Sequence, residues 1–396
     1  MGILFVVLVM FQKMLKEYIE KSRLKERRKY IMIANRAYKF RLYPTEEQKI
    51  MFSKTFGCVR FIYNKMLEDK IKYYQETKKR LSNTPAQYKS EFEWLKEVDS
   101  LALANAQMNL QSAYNNFFRS PKVGFPKFKS RRKDKNSYTT NHQNGTVSIV
   151  GNKLRLPKVG LVKMVQHRVI PSDQRIKSAT IEKTRSGKYY VSILVEFEKE
   201  IPKLQLDKMK ALGLDYASHS FYVDSQGMEA NYPKFYRNAQ TVLSKEQRKL
   251  SLMKYGSKNY EKQRIRVAKF QEHIANQRKD WLHKLSFELA KSYDYICVED
   301  INMQNIAQSL KLGKSTNDNG FGMFRTFLAY KLAERGKRLI KIDKWFPSSK
   351  MCRFCGHVNK NLKLSDRVWT CECGATLNRD ENAAINILNE GLKRLA

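Results

Sequence analysis

Four cysteines near the C-terminus restrict what this chain can fold into more than any other feature. Cys352 and Cys355 are two residues apart, and Cys371 and Cys373, one residue apart, follow after fifteen more. Thiolates at knuckle spacing are the ligand set of a tetrahedral structural zinc site, so the chain between them has to double back on itself. Directly afterwards comes Asn378-Arg379-Asp380-Glu381-Asn382-Ala383-Ala384, the start of a helix rich in Ala, Ile and Leu. An acid at that place reads as a catalytic carboxylate beside a metal-bound knuckle. Cys58 and Cys297 lie in apolar surroundings and read as small buried hydrophobes. Cysteines used in this way are not a disulfide framework and point to a reducing compartment.

The 396 residues include 76 Lys and Arg against 38 Asp and Glu, a net charge of +38. Such an excess repels itself in a compact chain unless a polyanion neutralises it, and nucleic acid is the leading candidate. The length and the 12% aromatic content separate the chain from ribosomal or histone-like proteins, although an acidic membrane surface would satisfy the charge alone. The apolar run from Gly2 to Phe11 is too short to span a bilayer as a helix and lacks the basic start and cleavage site of a signal peptide. Residues 1–31 are therefore read as an extension without a role, in a cytoplasmic, nucleoid-associated protein that does not use a membrane.

Ala37 to Leu42 alternates as a strand does. Thr45 with Gln48 is a capping box for a helix, and a helical region with Phe56, Val59, Phe61, Ile62 and Leu67 on its apolar side runs to about Arg119. From Arg119 to Asn136 eight cations, among them Lys127, Lys129, Arg131 and Arg132, face the single acid Asp134, with Phe125 and Phe128 interleaved. A run of this kind can be a solvated loop; in so basic a chain it reads as a segment that follows phosphates. Five or so short strands between Thr146 and Phe197 suggest a small β-barrel, completed by the strand near Lys39 with the helical region as an insertion. A strand at Ala211–Leu214, a hairpin partner at Phe221–Val223, an amphipathic helical region from about Leu243 to Ser292 and a strand at Tyr295–Val298 follow.

Both later strands end in an acid, Asp215 and Glu299. Glu299 lies 84 residues after Asp215, and Asp380 lies 81 after Glu299, so no local loop gathers them. A fold that brings strand ends together can, which is how hard oxygen ligands are collected for Mg²⁺ in two-metal phosphodiester hydrolysis. Taken singly, Asp215 could start a turn, Glu299 could pair with a lysine and Asp380 could cap its helix.

The residues named so far, in this order, resemble the TnpB family, RNA-guided nucleases carried by insertion sequences and related to type V CRISPR effectors. The resemblance runs from about Tyr38 to Leu388. It is carried by Tyr38-Lys39-Phe40-Arg41-Leu42-Tyr43-Pro44, by Gly57-Cys58-Val59-Arg60-Phe61-Ile62-Tyr63-Asn64, and by Gly124-Phe125-Pro126-Lys127-Phe128-Lys129 followed by Ser137-Tyr138-Thr139. Its most specific parts are Phe346-Pro347-Ser348-Ser349-Lys350-Met351-Cys352 and Arg379-Asp380-Glu381-Asn382-Ala383-Ala384. Two departures stand out: the second thiol pair has one intervening residue where two are usual, with His357 a poor substitute ligand, and Asn378 stands where an aspartate often precedes Arg379.

The resemblance implies an α/β multidomain protein: an RNase H-like (RuvC) nuclease with an inserted zinc knuckle, preceded by a wedge β-barrel holding a helical recognition domain. The corresponding segments are 32–46 and 121–205 for the barrel, 47–120 for recognition, 206–346 and 377–396 for the nuclease, and 347–376 for the knuckle. Asp215, Glu299 and Asp380 become Mg²⁺ ligands, with Asp215 bridging two metals, and Cys352, Cys355, Cys371 and Cys373 bind Zn²⁺. Lys39, Arg41, Arg60, Asn64, Lys127, Lys129, Arg131, Arg132, Ser137, Tyr138, Thr139 and Arg379 become nucleic-acid contacts. The expected activity is Mg²⁺-dependent cleavage of double-stranded DNA complementary to a guide RNA, beside a short motif that the protein reads, with one protein per RNA. A guide-dependent DNA-binding repressor and a compact CRISPR-linked effector are the competing readings.

Overall fold

The computed structural model describes residues 31–201, 210–309, 313–363 and 365–394. The proposed N-terminal extension lies outside them apart from its last residue. The chain divides into two compact units, one spanning Met32–Lys199 and the other the chain from Glu200 onward.

The first unit begins with strand β1 (Ile31–Tyr43) and helix α1 (Glu46–Thr77). The capping box is present: Gln48 N–H donates to Thr45 Oγ1 and Thr45 N–H to Gln48 Oε1, at 3.3 and 3.1 Å. Two short 3₁₀ turns lead to α2 (Ser100–Arg119), whose first turn is held by Leu101 N–H donating to Asp99 Oδ1 at 3.0 Å. Phe52, Ile62, Met66 and Leu67 of α1 meet Leu103, Ala106 and Leu110 of α2 in a fully buried core. Six further strands follow: β2 (Asn136–Asn141), β3 (Ser148–Val150), β4 (Lys153–Leu156), β5 (Gly160–Val165), β6 (Arg175–Lys183) and β7 (Tyr189–Glu200). With β1 they make one seven-stranded sheet in the order β2-β6-β7-β1-β5-β4-β3. The first strand is thus central, and the helices are inserted between it and the rest. The hydrogen-bonded order runs from edge β2 to edge β3 and does not close into a ring among the described residues.

In the second unit β8 (Ala211–Ala217), β10 (Tyr295–Glu299) and β11 (Arg338–Ile342) are parallel, and β9 (Phe221–Asp224) returns antiparallel to β8, giving the order β11-β10-β8-β9. Leu212, Leu214, Ile296 and Val298 are buried, which is why these strands read as short continuous apolar runs. The long helical region is two helices, α3 (Phe235–Ser251) and α4 (Lys258–Ser292), because Gly256 takes a left-handed turn (φ 79°) and Ser257 caps a new start. The stripe expected on α4 is inward: Val267, Ile274 and Leu289 are buried, and Phe270, Trp281 and Leu285 are partly so. Two seven-residue helices, α5 (Met303–Ser309) and α6 (Gly313–Asn319), precede α7 (Phe321–Ala333). The hairpin β12 (Val368–Thr370) and β13 (Thr376–Asn378) then leads straight into the last helix, α8 (Arg379–Lys393).

Two glycine contacts set α8 against this sheet. A Cβ on Gly213 would land on the Ala384 carbonyl oxygen of α8, and a Cβ on Gly391 of α8 would land on Cys297 Sγ of β10. Gly213 is two residues ahead of Asp215, and Cys297 is two residues ahead of Glu299. The missing side chains let the helix approach both strands closely, just before each strand presents its acid.

Candidate active site and zinc knuckle

β8 and β10 run parallel with Leu214 opposite Val298, so the next residues, Asp215 and Glu299, stand side by side towards the carboxyl ends of neighbouring strands. This is where open α/β sheets place their ligands. Asp380 arrives from a third element, as the second residue of α8, and is buried. Asp215 feels the charges of the other two. Asp215 is pushed well above the usual carboxylate range, first by burial and then by the charges of Glu299 and Asp380, while Arg379 opposes the shift. Burial also raises Glu299, against a hydrogen bond donated by the Ser348 hydroxyl to its Oε1. Asp380 Oδ2 accepts from Arg367 Nη1 at 2.9 Å, and its Oδ1 lies 3.8 Å from Arg379 Nε.

Each acid's bland alternative can be checked against its surroundings. Asp215 is inside β8, paired with Val223 of β9, and starts no turn. The lysine pairing that Glu299 could have made belongs to its neighbour: Asp300 accepts from Lys341 Nζ at 3.0 Å. The cap of α8 belongs to Asn378, whose Oδ1 accepts from the N–H groups of Asp380 and Glu381 at 3.1 and 3.2 Å. Asn378 therefore does the capping work that an aspartate at this position would do, without adding a fourth negative charge. Two carboxylates at neighbouring strand ends, with a third whose charge reaches Asp215, are oxygen donors of the kind a hard divalent cation binds.

The thiols converge more tightly. All four sulfurs lie within 4.8 Å of one another, the one set of three or more possible ligands so close among the described residues. Cys352 and Cys373 Sγ are 3.8 Å apart, and Cys355 and Cys371 Sγ are 3.5 Å apart. Four sulfurs about 2.3 Å from a tetrahedral zinc would be about 3.8 Å from each other, so the set fits that ion. Each pair is followed by a glycine in the left-handed region, Gly356 (φ 76°) and Gly374 (φ 86°). The turn closes through Gly356 N–H to Cys352 O in one knuckle and Gly374 N–H to Cys371 O in the other, at 3.0 and 2.8 Å. The shortened Cys371-x-Cys373 spacing thus still makes a knuckle. His357 faces Glu372 instead, with Nε2 to Oε1 at 3.6 Å.

Three family descriptions match the chain: "Helix-turn-helix domain" of OrfB from IS605 over residues 32–79, "Probable transposase" over 192–310, and "Cas12f1-like, TNB domain" over 321–387. A protein of Streptomyces pristinaespiralis named "Putative RNA-guided DNA endonuclease" is 36% identical over 365 residues, covering 90% of this chain and 89% of its own length. The chain belongs to the TnpB family. A second relative, InsQ of Escherichia coli, is 29% identical over 91% of this chain and 93% of its own length and bears the same description. Among solved structures, a Cas12f1–sgRNA–target DNA complex shares the fold, with a TM-score of 0.58 at 12% identity over 90% of this chain and 99% of that one.

The nucleic-acid contacts that the TnpB resemblance implied fall into several settings. Arg60, Lys129, Ser137, Tyr138 and Thr139 come from separate segments of the first unit yet line one cleft of about 260 Å³, with Asn105, Asn109 and Lys135. Lys127, Arg131 and Arg132 are exposed on the loop beside it. Lys39 lies 3.4 Å from Glu182 and over the Tyr190 ring, which Arg41 also covers. Two of the twelve hold the fold itself. Asn64 brackets Lys129, donating to its carbonyl oxygen at 2.9 Å and accepting from its N–H at 2.7 Å. Tyr138 is 4% exposed against Phe52 and Phe56. Arg379 is in the acid site of the second unit. Sequence reasoning passed over Arg367 and Ser348 as site residues; Ser348 stands in a motif quoted for the family, whereas an exposed arginine in a hairpin carries no signal.

Proposed function

We propose that this chain is an RNA-guided DNA endonuclease of a transposable element, with a RuvC-like site formed by Asp215, Glu299 and Asp380. What supports the reading is the register of β8 on β10, which sets Asp215 beside Glu299, together with the charge of Asp380 acting on Asp215, in a member of the TnpB family. Their hard oxygens suit Mg²⁺, which when bound supplies Lewis acidity and an activated water for phosphodiester hydrolysis. Asp215, on which the charges of the other two act, would hold the metal together with Glu299 and Asp380. Burial that raises its proton affinity without a cation becomes an advantage with one, because a poorly solvated carboxylate binds the ion more strongly. Arg379 keeps a positive charge beside Asp215, and Arg367 does so beside Asp380. The retention of all three acids favours cleavage over silent binding.

The other parts follow the same reading. The four thiols hold structural zinc. Guide RNA neutralises much of the +38 charge and selects the target by base pairing, leaving the protein to read a short duplex motif. The cleft with Arg60, Lys129 and Ser137 in the first unit is the proposed place for that reading. One protein per RNA is the proposed stoichiometry.

Sequencing the RNA that copurifies with the full-length protein, and then replacing its guide portion, tests the function. Cleavage should move to DNA matching the new guide. Cleavage that stays at the old site, or that proceeds equally without RNA, would overturn the RNA-guided reading.

A further inference from the structure

Ser348 is not one of the three acids, yet its position ties them to the zinc knuckle. It sits in the turn between β11 and Cys352, is 5% exposed, and donates its hydroxyl to Glu299 Oε1. That turn is held from α8. Asn386 Nδ2 donates to the Ser348 and Met351 carbonyl oxygens at 2.8 and 2.7 Å. One turn earlier, Asn382 Nδ2 donates to Met351 O at 2.7 Å while its Oδ1 accepts from Arg353 N–H at 3.0 Å. The two asparagines share a helix face at i, i+4 and are almost fully buried, at 0% and 2% exposure. Arg353, between the first two thiols, also donates to Glu381 Oε1 at 2.8 Å. Asp380 is on this same helix.

The geometry points to Ser348 as a positioning residue for Glu299, set in place by Asn382 and Asn386, so that one helix frames two of the three acids and the first thiol pair. It rests on the reading of Asp215, Glu299 and Asp380 as a divalent-cation site. A carboxylate rotates freely about its last bond unless something fixes it. The Ser348 hydroxyl, donating to Oε1, fixes the orientation in which Glu299 would hold a cation. A partner of this kind typically changes metal affinity by about 10–100-fold when removed. The knuckle then has a second role. Cys352 and Cys355 flank Arg353, so zinc steadies the segment from which Ser348 reaches Glu299.

Mn²⁺ is a suitable probe, titrated calorimetrically into RNA-free full-length protein in high salt. Ser348→Ala should raise the Mn²⁺ Kd at least about tenfold, with zinc content and target-DNA affinity of the RNA complex unchanged. In cleavage assays the loss should be recovered at high Mn²⁺. Ser348→Thr, which keeps the hydroxyl, should bind Mn²⁺ as wild type does. Asn386→Ala and Cys355→Ser should shift the Kd in the same direction as Ser348→Ala. A wild-type Kd in Ser348→Ala would overturn the positioning role, and a wild-type Kd in Cys355→Ser would overturn the link to zinc. A wild-type Kd in Glu299→Ala would instead mean that the acid-site reading itself is at fault.

Discussion

The thiol set and the carboxylate set of the second unit are assembled in opposite ways. The thiols come from two tight turns, Cys352–Gly356 and Cys371–Gly374, closed by two glycines, two short backbone hydrogen bonds and one hairpin, with α8 adding contacts to Met351 and Arg353 beside the first pair. The carboxylates come from three elements spread over 165 residues of chain and are placed by the topology of a parallel sheet and by a helix laid across it. The thiols all lie within the 22 residues from Cys352 to Cys373. The acids stay together only if β8, β10 and α8 all keep their register. A packing error far from the chemistry should therefore damage one set and spare the other.

The largest expected effect is at the close approaches. Gly213→Ala or Gly391→Ala puts a methyl group where α8 meets β8 or β10, an overpacking of about 1–3 kcal/mol or more. Helix and strand have to separate, and cleavage should fall to background while the purified protein keeps one zinc per chain, read by elemental analysis. Normal cleavage by Gly213→Ala would show that the acids do not depend on that contact. Next is Cys373→Ser. It should release zinc and leave the three acids on their elements, so that cleavage declines partially and is partly restored by extra divalent cation. Complete and irreversible loss would show that the two sets are one cooperative structure.

A smaller effect separates the first unit from the second. Lys127, Arg131 and Arg132 are exposed, whereas Lys129 is held by Asn64 and lies 3.9 Å from the Tyr63 ring centre. Replacing the first three with Ala should flatten the salt dependence of nucleic-acid binding by about 0.7–0.9 in log–log slope for each phosphate that is no longer neutralised. Lys129→Ala should lower the melting temperature more than it changes that slope. The smallest effect is thermodynamic. The folded-state pKa of Asp215 lies above its unfolded value, so without a cation the native chain binds the extra proton. Its stabilising contribution is full at low pH and fades as pH rises from about 3.9 through the raised value. Metal-free Asp215→Asn should therefore melt above metal-free wild type at neutral pH, with the gap closing in acid. Equal melting temperatures at neutral pH would mean the site is less crowded with charge than its geometry implies.

These contrasts also explain what could be read in advance. Cysteine spacing is a local signal, so the four thiols were legible. The acids were legible as acids at element ends, but that Leu214 pairs with Val298, which sets Asp215 beside Glu299, is a property of the sheet. Asn378 looked like a missing acid because cap and ligand are the same residue types; only the hydrogen bonds to Asp380 and Glu381 tell them apart. The Ser137-Tyr138-Thr139 motif mixes two jobs because a strand alternates. All three line the cleft, but Ser137 and Thr139 are partly exposed, while Tyr138 between them is buried against Phe52 and Phe56. The barrel was expected from the number of short strands, which does not specify whether the outer two meet. Gly213 and Gly391 were passed over, since a glycine required for close packing looks in sequence like any other.

The most direct test of the whole account is single-turnover cleavage of guide-matched DNA by the RNA-bound protein after chelation, with Mg²⁺ added back. Wild type should be inactive without the ion and fully active with it. Asp215→Ala, Glu299→Ala and Asp380→Ala should bind the same target with unchanged affinity and stay inactive at every Mg²⁺ concentration. Cleavage by wild type without divalent cation, or near-wild-type cleavage by any of the three variants, would contradict the claim that these carboxylates together form the cutting site.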